Sequence, residues 1–124
     1  MVSELTPDVL NKLEHQIVIW IASVRPDDRP HLAPVWFVWH QGKLYISTDP
    51  KSVKANNLRQ NPRISLALED GTHPVICEGT AQPVPVPWSV DLLAAFVQKY
   101  EWDITKEQRY NDLWEITPHK WLSW

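Results

Sequence analysis

The sequence predicts a mainly β fold with flanking helices, a six-stranded β-barrel that forms a single domain over residues 1–124. The first observation is a series of six short runs rich in β-branched and aromatic residues, separated by turn-forming residues. The second is the small number of helix signals, which favours a barrel over a layered α/β fold. The third is the length of 124 residues, because two domains of that combined length would each have too little core.

Each predicted strand is bounded by residues that favour turns. The second and third strands are joined by a hairpin at His40-Gln41-Gly42, and the fifth follows a turn at Asp70-Gly71. The predicted strands cover residues 16–24, 31–39, 43–48, 64–68, 74–82 and 113–118.

Three helices are predicted at capping signals. Thr6-Pro7 places an N-cap residue before a proline at the first helical position, which predicts a helix to about residue 14. Asp49-Pro50 repeats this pair, and the second helix is expected to end before Asn61-Pro62. Ser89 caps the third helix, after a connector over residues 83–87 in which alternating prolines exclude a helix.

Composition excludes several classes of function. Twelve Lys and Arg against fifteen Asp and Glu give a net charge of −3, so nucleic acid is not expected as a partner. Three glycines are too few for a glycine-rich phosphate loop, and the histidines show no metal-ligand spacing. Short apolar runs and the lack of a signal peptide at residues 1–4 predict no membrane association. The lone Cys77 fits a cytoplasmic location.

The second predicted strand is apolar on both faces. Leu32, Pro34, Trp36 and Val38 point to one side, whereas Ala33, Val35, Phe37 and Trp39 point to the other. A strand of a small barrel normally keeps one face in water, so the second face needs a cover. We expect that cover to be a second copy of the chain, with packing by the chain's own helices as the alternative.

The segment between the third strand and the second helix concentrates groups that bind anions. Ser47 and Thr48 end the strand, and Lys51 and Lys54 lie in or near the first helical turn, where a cation opposes the helix dipole. An anion bound there would reverse that cost, since backbone N–H groups, hydroxyls and ammonium groups would all point at it. Solvated lysines on a surface helix are the alternative interpretation.

An ordered series of segments resembles the flavin-binding split barrel of the pyridoxamine 5′-phosphate oxidase-like superfamily. The resemblance covers roughly residues 8–122, and no single motif in it is diagnostic. Its segments are RPHLAPVWFVW at 29–39, KLYIST at 43–48, SVKANNL at 52–58, NPRISL at 61–66 and Glu78-Gly79.

This resemblance implies a six-stranded split barrel of Greek-key type that binds FMN at a homodimer interface. The chain would then be an FMN-dependent oxidoreductase acting on a small-molecule substrate or electron donor, and no catalytic side chain is implied. The resemblance places Pro34, Val35, Trp36 and Phe37 along the flavin ring. The phosphate positions are Ser47, Thr48, Ser52 and Lys54, with Lys51 as a further cation. Trp121 matches a residue that approaches the ring from the other subunit. Asn57 lies about one turn after Lys54 on a similar face, from which we expect it to reach the phosphate or ribityl chain.

The sequence departs from the enzymes that oxidise pyridoxamine phosphate. Pro34 and Val53 stand where those enzymes carry arginines, Pro74 replaces a flavin-contacting glutamine, and the C-terminal substrate motif is absent. We therefore expect a different substrate. The alternatives are a deazaflavin-dependent reductase of the same fold, a non-catalytic flavin-binding protein, and a dimeric binding module without flavin.

Overall fold

A computed structural model of the chain describes residues 5–124; residues 1–4, on which the signal-peptide prediction depends, lie outside it. The described residues form seven strands and three helices. The helices are α1 (Pro7–His15), α2 (Val53–Gln60) and α3 (Val90–Tyr100), with a 3₁₀ turn at Ile104–Lys106. The strands are β1 (Val18–Val24), β2 (Pro30–Trp36), β3 (Val38–His40), β4 (Lys43–Thr48), β5 (Arg63–Leu68), β6 (Val75–Pro83) and β7 (Asp112–Ser123).

The strands form one antiparallel sheet that curls into a split barrel, which confirms the predicted fold. The sheet order is β2-β1-β5-β6-β7-β4-β3. Its two edge strands, β2 and β3, are successive pieces of one chain segment interrupted at Phe37. One predicted strand therefore pairs with β1 through its first half and with β4 through its second half.

Tyr100 accounts for the break between β2 and β3, which divides one predicted strand into two. Its hydroxyl accepts a hydrogen bond from the Phe37 amide at 2.9 Å, and it lies 2.9 Å and 2.7 Å from the carbonyl oxygens of Phe37 and Ile17. These interactions engage the backbone groups of Phe37 that a continuous strand would offer to a neighbouring strand. The Phe37 side chain turns into the core, where it is fully buried.

Two apolar clusters hold the fold together. The larger fills the barrel and includes Ile21, Phe37, Leu66 and Ile116. The smaller lies under α3 and the 3₁₀ turn, where Phe96 and Ile104 pack against buried residues of β3, β4 and β7. The second cluster anchors the segment that follows α3, and this segment forms one side of the cavity described below.

The outer face of the sheet carries a continuous apolar row. Pro34, Trp20, Ala67, Ile76 and Leu122 are successive cross-strand neighbours from β2 to β7. Beside this row on β2, Leu32 is 63% exposed and Trp36 is 48% exposed. The predicted second apolar face of this strand is thus present, and the chain's own helices cover only part of it: Val38 packs under α3 and the Trp36 ring rests on Tyr100, whereas Leu32 stays exposed.

The start of α2 differs from the sequence prediction. The helix begins after Ser52, whose hydroxyl accepts a hydrogen bond from the Ala55 amide at 3.2 Å. The carboxylate of Asp49, which the sequence predicts as the cap, instead accepts from the Lys51 amide at 2.9 Å and closes a short turn. Lys51 consequently precedes the helix, whereas Lys54 is its second residue.

β7 extends beyond its predicted end because the sheet accommodates an irregularity opposite Pro118. The register of β6 and β7 shifts between Glu78 and Gly79, and pairing then continues to Ser123. At Gly79 the two backbones approach closely. A Cβ atom there would lie 2.5 Å from the Thr117 carbonyl oxygen.

We expect Gly79→Ala to lower the free energy of unfolding by about 1–3 kcal/mol, because the added methyl group overpacks against backbone that cannot rotate away. Urea denaturation followed by circular dichroism measures this change. Gly71→Ala is the matched control, since its Cβ would meet no atom within 4 Å and its φ is not positive. Equal stability of the two variants would contradict the prediction.

Candidate functional site

A cavity of about 540 Å³ opens where β2, the end of β4, the start of α2 and the segment after α3 meet. Five of the site residues predicted from the sequence line it: Pro34, Val35, Trp36, Ser47 and Lys54. The remaining lining residues, Trp102, Glu107 and Tyr110, come from the segment after α3. Residues far apart in sequence thus converge on one space with aromatic walls and a cationic end.

Trp36 provides a flat wall that is held in place by other aromatic rings. Its ring stacks on Tyr100 with centroids 4.5 Å apart and an interplanar angle of 6°. Trp102 meets it edge-on at 5.7 Å, and Trp102 packs in turn against the buried Phe96 at 5.8 Å. Stacked and edge-on pairs of this kind stabilise an aromatic side chain in one orientation, which suits it to flank a planar ligand.

Lys54 provides the cationic end of the cavity. Its side chain is partly buried, and this burial lowers the pKa of its ammonium group, while the charge of Asp49 acts in the opposite direction. Within residues 5–124 no carboxylate oxygen lies within 4.0 Å of this ammonium. A desolvated cation without an acidic partner is stabilised by any anion that binds beside it.

Hydrogen-bond donors accompany Lys54 at the start of α2. Because the Ser52 hydroxyl accepts from Ala55, its own proton remains available to a ligand. The amides of Val53 and Lys54 precede the first helical hydrogen bond, which Asn56 donates to the Ser52 carbonyl at 3.2 Å. This corner therefore combines an ammonium group, a hydroxyl and backbone amides, the donor set that phosphate groups prefer.

The other predicted site residues lie outside the cavity lining. Phe37, Thr48 and Asn57 are fully buried; Thr48 donates to the Asp112 carbonyl at 3.2 Å, and the Asn57 amide donates to Ser23 at 3.0 Å. Lys51 is exposed in the turn before α2.

Trp121 is buried on β7, where its ring meets that of Trp39 at 5.8 Å. Its predicted approach to a ligand from the other subunit stays a prediction.

Sequence reasoning missed the segment after α3, which has no strand or helix periodicity. Contacts distant in sequence hold it against the cavity: Ser47 donates to the Tyr110 carbonyl at 2.6 Å, and Arg109 pairs with Asp49 at 3.0 Å. Within the segment, Glu107 accepts a hydrogen bond from the Trp102 indole at 2.8 Å. The high tryptophan content was the signal available at Trp102, although it did not indicate which rings face a ligand.

His31 lies on β2, outside the cavity lining. Its Nδ1 atom is buried and has no hydrogen-bond partner among the described residues. Burial lowers the pKa of its imidazole, and the charges of Arg25 and Lys54 lower it further.

A sequence profile of the pyridoxamine 5′-phosphate oxidase family matches residues 5–124. The chain belongs to this family. No curated protein matches the sequence.

None of the helices in the described part of the chain has the length and apolarity needed to cross a bilayer. Residues 5–124 also contain no cluster of three His, Cys, Asp or Glu side chains able to hold a metal ion.

Solved structures share the fold across nearly the whole chain. The conserved hypothetical protein Rv2991 from Mycobacterium tuberculosis is 24% identical, with a TM-score of 0.78 over 98% of this chain and 86% of that one. HutZ, a heme storage protein from Vibrio cholerae, is 18% identical, with a TM-score of 0.81 over 97% and 94%. An F420 reductase is 23% identical, with a TM-score of 0.71 over 90% and 94%. HutZ and the F420 reductase are named for different roles, so the ligand must be argued from this chain's own residues.

Proposed function

We propose that this protein is an FMN-binding oxidoreductase of the pyridoxamine 5′-phosphate oxidase-related type, a cytoplasmic homodimer that holds the flavin at the subunit interface. The main support for the proposal is a single cavity that is lined by the flat Trp36 ring and, at one end, by the unpaired Lys54 ammonium. Its reaction partner is a small-molecule substrate or electron donor other than pyridoxamine phosphate.

Different residues of the chain bind different parts of the flavin. Lys54, Ser52 and the first amides of α2 hold the phosphate, with Ser47 and Lys51 at the edge of the same corner. Pro34, Val35 and Trp36 flank the ring system, and the segment from Trp102 to Tyr110 excludes water from one side. When bound, the flavin supplies the hydride and electron chemistry.

The polarity of the cavity supports this orientation of the ligand. The Glu107 carboxylate accepts a hydrogen bond from the Trp102 indole. Glu107 is not among the charges that shift the pKa of Lys54. An anionic phosphate is therefore favoured at the Lys54 end and disfavoured beside Glu107.

The apolar row on the outer face supports the homodimer. It runs from Pro34 across Trp20 to Leu122, and it is continuous with the exposed ring of Trp36 at the cavity mouth. A second copy covering this row would remove exposed apolar surface from water and close the cavity at the same time. Flavin retention would then depend on the dimer.

Reconstitution with FMN tests the proposal. We expect the purified protein to take up FMN with absorbance near ~450 nm, and to release it on dilution as the dimer dissociates. Sedimentation velocity over the same dilution series measures the oligomeric state. A colourless protein that fails to bind added FMN would overturn the proposal. If FMN binds, consumption of NADH or NADPH in air distinguishes an enzyme from a flavin carrier.

A deazaflavin-dependent reductase is the second candidate, favoured by the structural similarity to an F420 reductase. The same titration with a deazaflavin coenzyme separates the two, because the preferred cofactor should bind the more tightly. Flavin binding without turnover of any electron donor would favour a non-catalytic flavin-binding protein.

A further inference from the structure

Segment 102–110 runs along one side of the cavity, from its aromatic part to its cationic end. At the aromatic part, Trp102 meets the Trp36 ring edge-on at 5.7 Å. At the other end, the Tyr110 carbonyl accepts a hydrogen bond at 2.6 Å from Ser47, which lines the cavity together with Lys54. The segment therefore connects the surface proposed for the flavin ring with the corner proposed for the phosphate.

Glu107 lies between these two ends of segment 102–110. One oxygen of its carboxylate, Oε1, accepts a hydrogen bond from the Trp102 indole at 2.8 Å. The other oxygen, Oε2, lies 3.5 Å from the Tyr110 amide nitrogen, which is long for a hydrogen bond and leaves this oxygen nearly free. Because Glu107 itself lines the cavity, its carboxylate stands beside the stretch that separates the ring surface from the phosphate corner.

No cationic side chain of residues 5–124 neutralises this carboxylate. Every Lys, Arg and His nitrogen in that range lies more than 4.0 Å from its oxygens. The two basic residues nearest to it in sequence face other carboxylates: Lys106 is 3.9 Å from Asp103, and Arg109 is 3.0 Å from Asp49. An ionised carboxylate has about four acceptor positions, and the indole fills one of them. Glu107 thus offers the cavity free acceptor positions and no donor.

We propose that Glu107 binds the ribityl chain of FMN by accepting hydrogen bonds from its hydroxyl groups. In a flavin with its ring at Trp36 and its phosphate at Lys54, the ribityl chain connects the two and carries the donors that a carboxylate needs. The phosphate and the ring carbonyls are themselves acceptors, so Glu107 does not attract them. The inference rests on the proposed function, which it deepens by naming the residue that selects a hydroxylated chain between ring and phosphate.

The charge of Glu107 has two opposing effects on FMN. Hydrogen bonds from hydroxyl groups to a carboxylate are roughly twice as strong as those to a neutral acceptor. The same carboxylate repels the phosphate, because both anions occupy one cavity. Removal of the charge therefore weakens the ribityl contact and relieves the repulsion together. Riboflavin, which has the ribityl chain without the phosphate, reports the first effect by itself.

The experiment compares wild type with Glu107→Gln in titrations with FMN, riboflavin and lumiflavin, followed by quenching of flavin fluorescence. Lumiflavin has the same ring with a methyl group in place of the ribityl chain. The glutamine side-chain oxygen can still accept from the Trp102 indole, so segment 102–110 should keep its fold. We expect riboflavin affinity to fall about three- to tenfold, FMN affinity to fall less, and lumiflavin affinity to stay unchanged.

Glu101→Gln is the matched control. Glu101 is an exposed glutamate just before segment 102–110 and does not line the cavity, so this variant should bind all three flavins as wild type does. Glu107→Met covers the case in which the glutamine amide replaces the carboxylate as an acceptor. Methionine keeps a similar side-chain length without a strong acceptor, so the riboflavin loss should grow to about tenfold or more while lumiflavin affinity stays unchanged.

Two results would overturn the inference and leave the proposed function standing. The first is unchanged riboflavin affinity in both Glu107 variants. The second is an equal loss for riboflavin and lumiflavin, which would assign Glu107 to the flavin ring or to the packing of Trp102. Failure of the wild-type protein to bind FMN would overturn both the inference and the proposed function.

Discussion

Replacing Lys54 by methionine is expected to weaken FMN binding by about tenfold to a hundredfold. Methionine keeps much of the length and packing of the side chain but removes the ammonium group, which has no carboxylate partner among the described residues. A charge-assisted hydrogen bond contributes about 1.5–3 kcal/mol, and about 1.4 kcal/mol corresponds to a factor of ten. Titration of the apoprotein with FMN, followed by fluorescence quenching, measures the effect.

Two comparisons assign that loss to the phosphate. Riboflavin affinity should change little in Lys54→Met, because the ammonium group has no phosphate to bind. Lys51→Met is the matched control: Lys51 is exposed in the turn before α2, so its removal should have a smaller effect on FMN. An unchanged FMN affinity in Lys54→Met would reject the assignment of this corner to the phosphate.

Phe37→Ala is expected to lower the free energy of unfolding by about 3–5 kcal/mol, the usual range when a fully buried phenylalanine is truncated. Phe37 is 0% exposed and lies where one chain segment passes from β2 to β3. The Lys99 ammonium sits 3.7 Å from the centroid of its ring, and burial lowers the pKa of that ammonium to about 8. Removing the ring would leave a cavity and take away the aromatic face on which this buried cation rests.

Urea denaturation of the flavin-free protein measures this change without interference from ligand binding. Phe37→Leu is the control, because it retains most of the apolar volume and should cost clearly less than the alanine variant. A loss below about 1 kcal/mol in Phe37→Ala would show that the junction of β2 and β3 does not depend on this side chain.

Much of the fold and part of the site follow from local patterns. β4 has the predicted bounds, and the other strands and helices differ mainly at their ends, because capping and turn residues act within a few positions of the chain. The apolar character of both faces of the second strand is likewise visible from alternation alone. The segment from Ser47 to Lys54 was identifiable because hydroxyl and ammonium groups cluster in eight consecutive residues.

Other features depend on residues that are distant in sequence. The break at Phe37 requires the hydroxyl of Tyr100, which is 63 residues away, and the wall opposite Trp36 requires the segment anchored by Ile104. Whether a predicted residue faces the cavity also depends on packing. Thr48 and Asn57 have the right chemistry for a phosphate, yet both are buried with partners from other elements.

The amino-acid pattern therefore predicted most of the strands, the doubly apolar strand and the cluster of hydroxyl and ammonium groups before α2, since each arises from neighbours along the chain. Folding established which of those side chains share one cavity, and it added Trp102, Glu107 and Tyr110 to them. The physical reason is that a side chain's partners and its burial depend on contacts between distant segments, and local periodicity carries no information about those contacts.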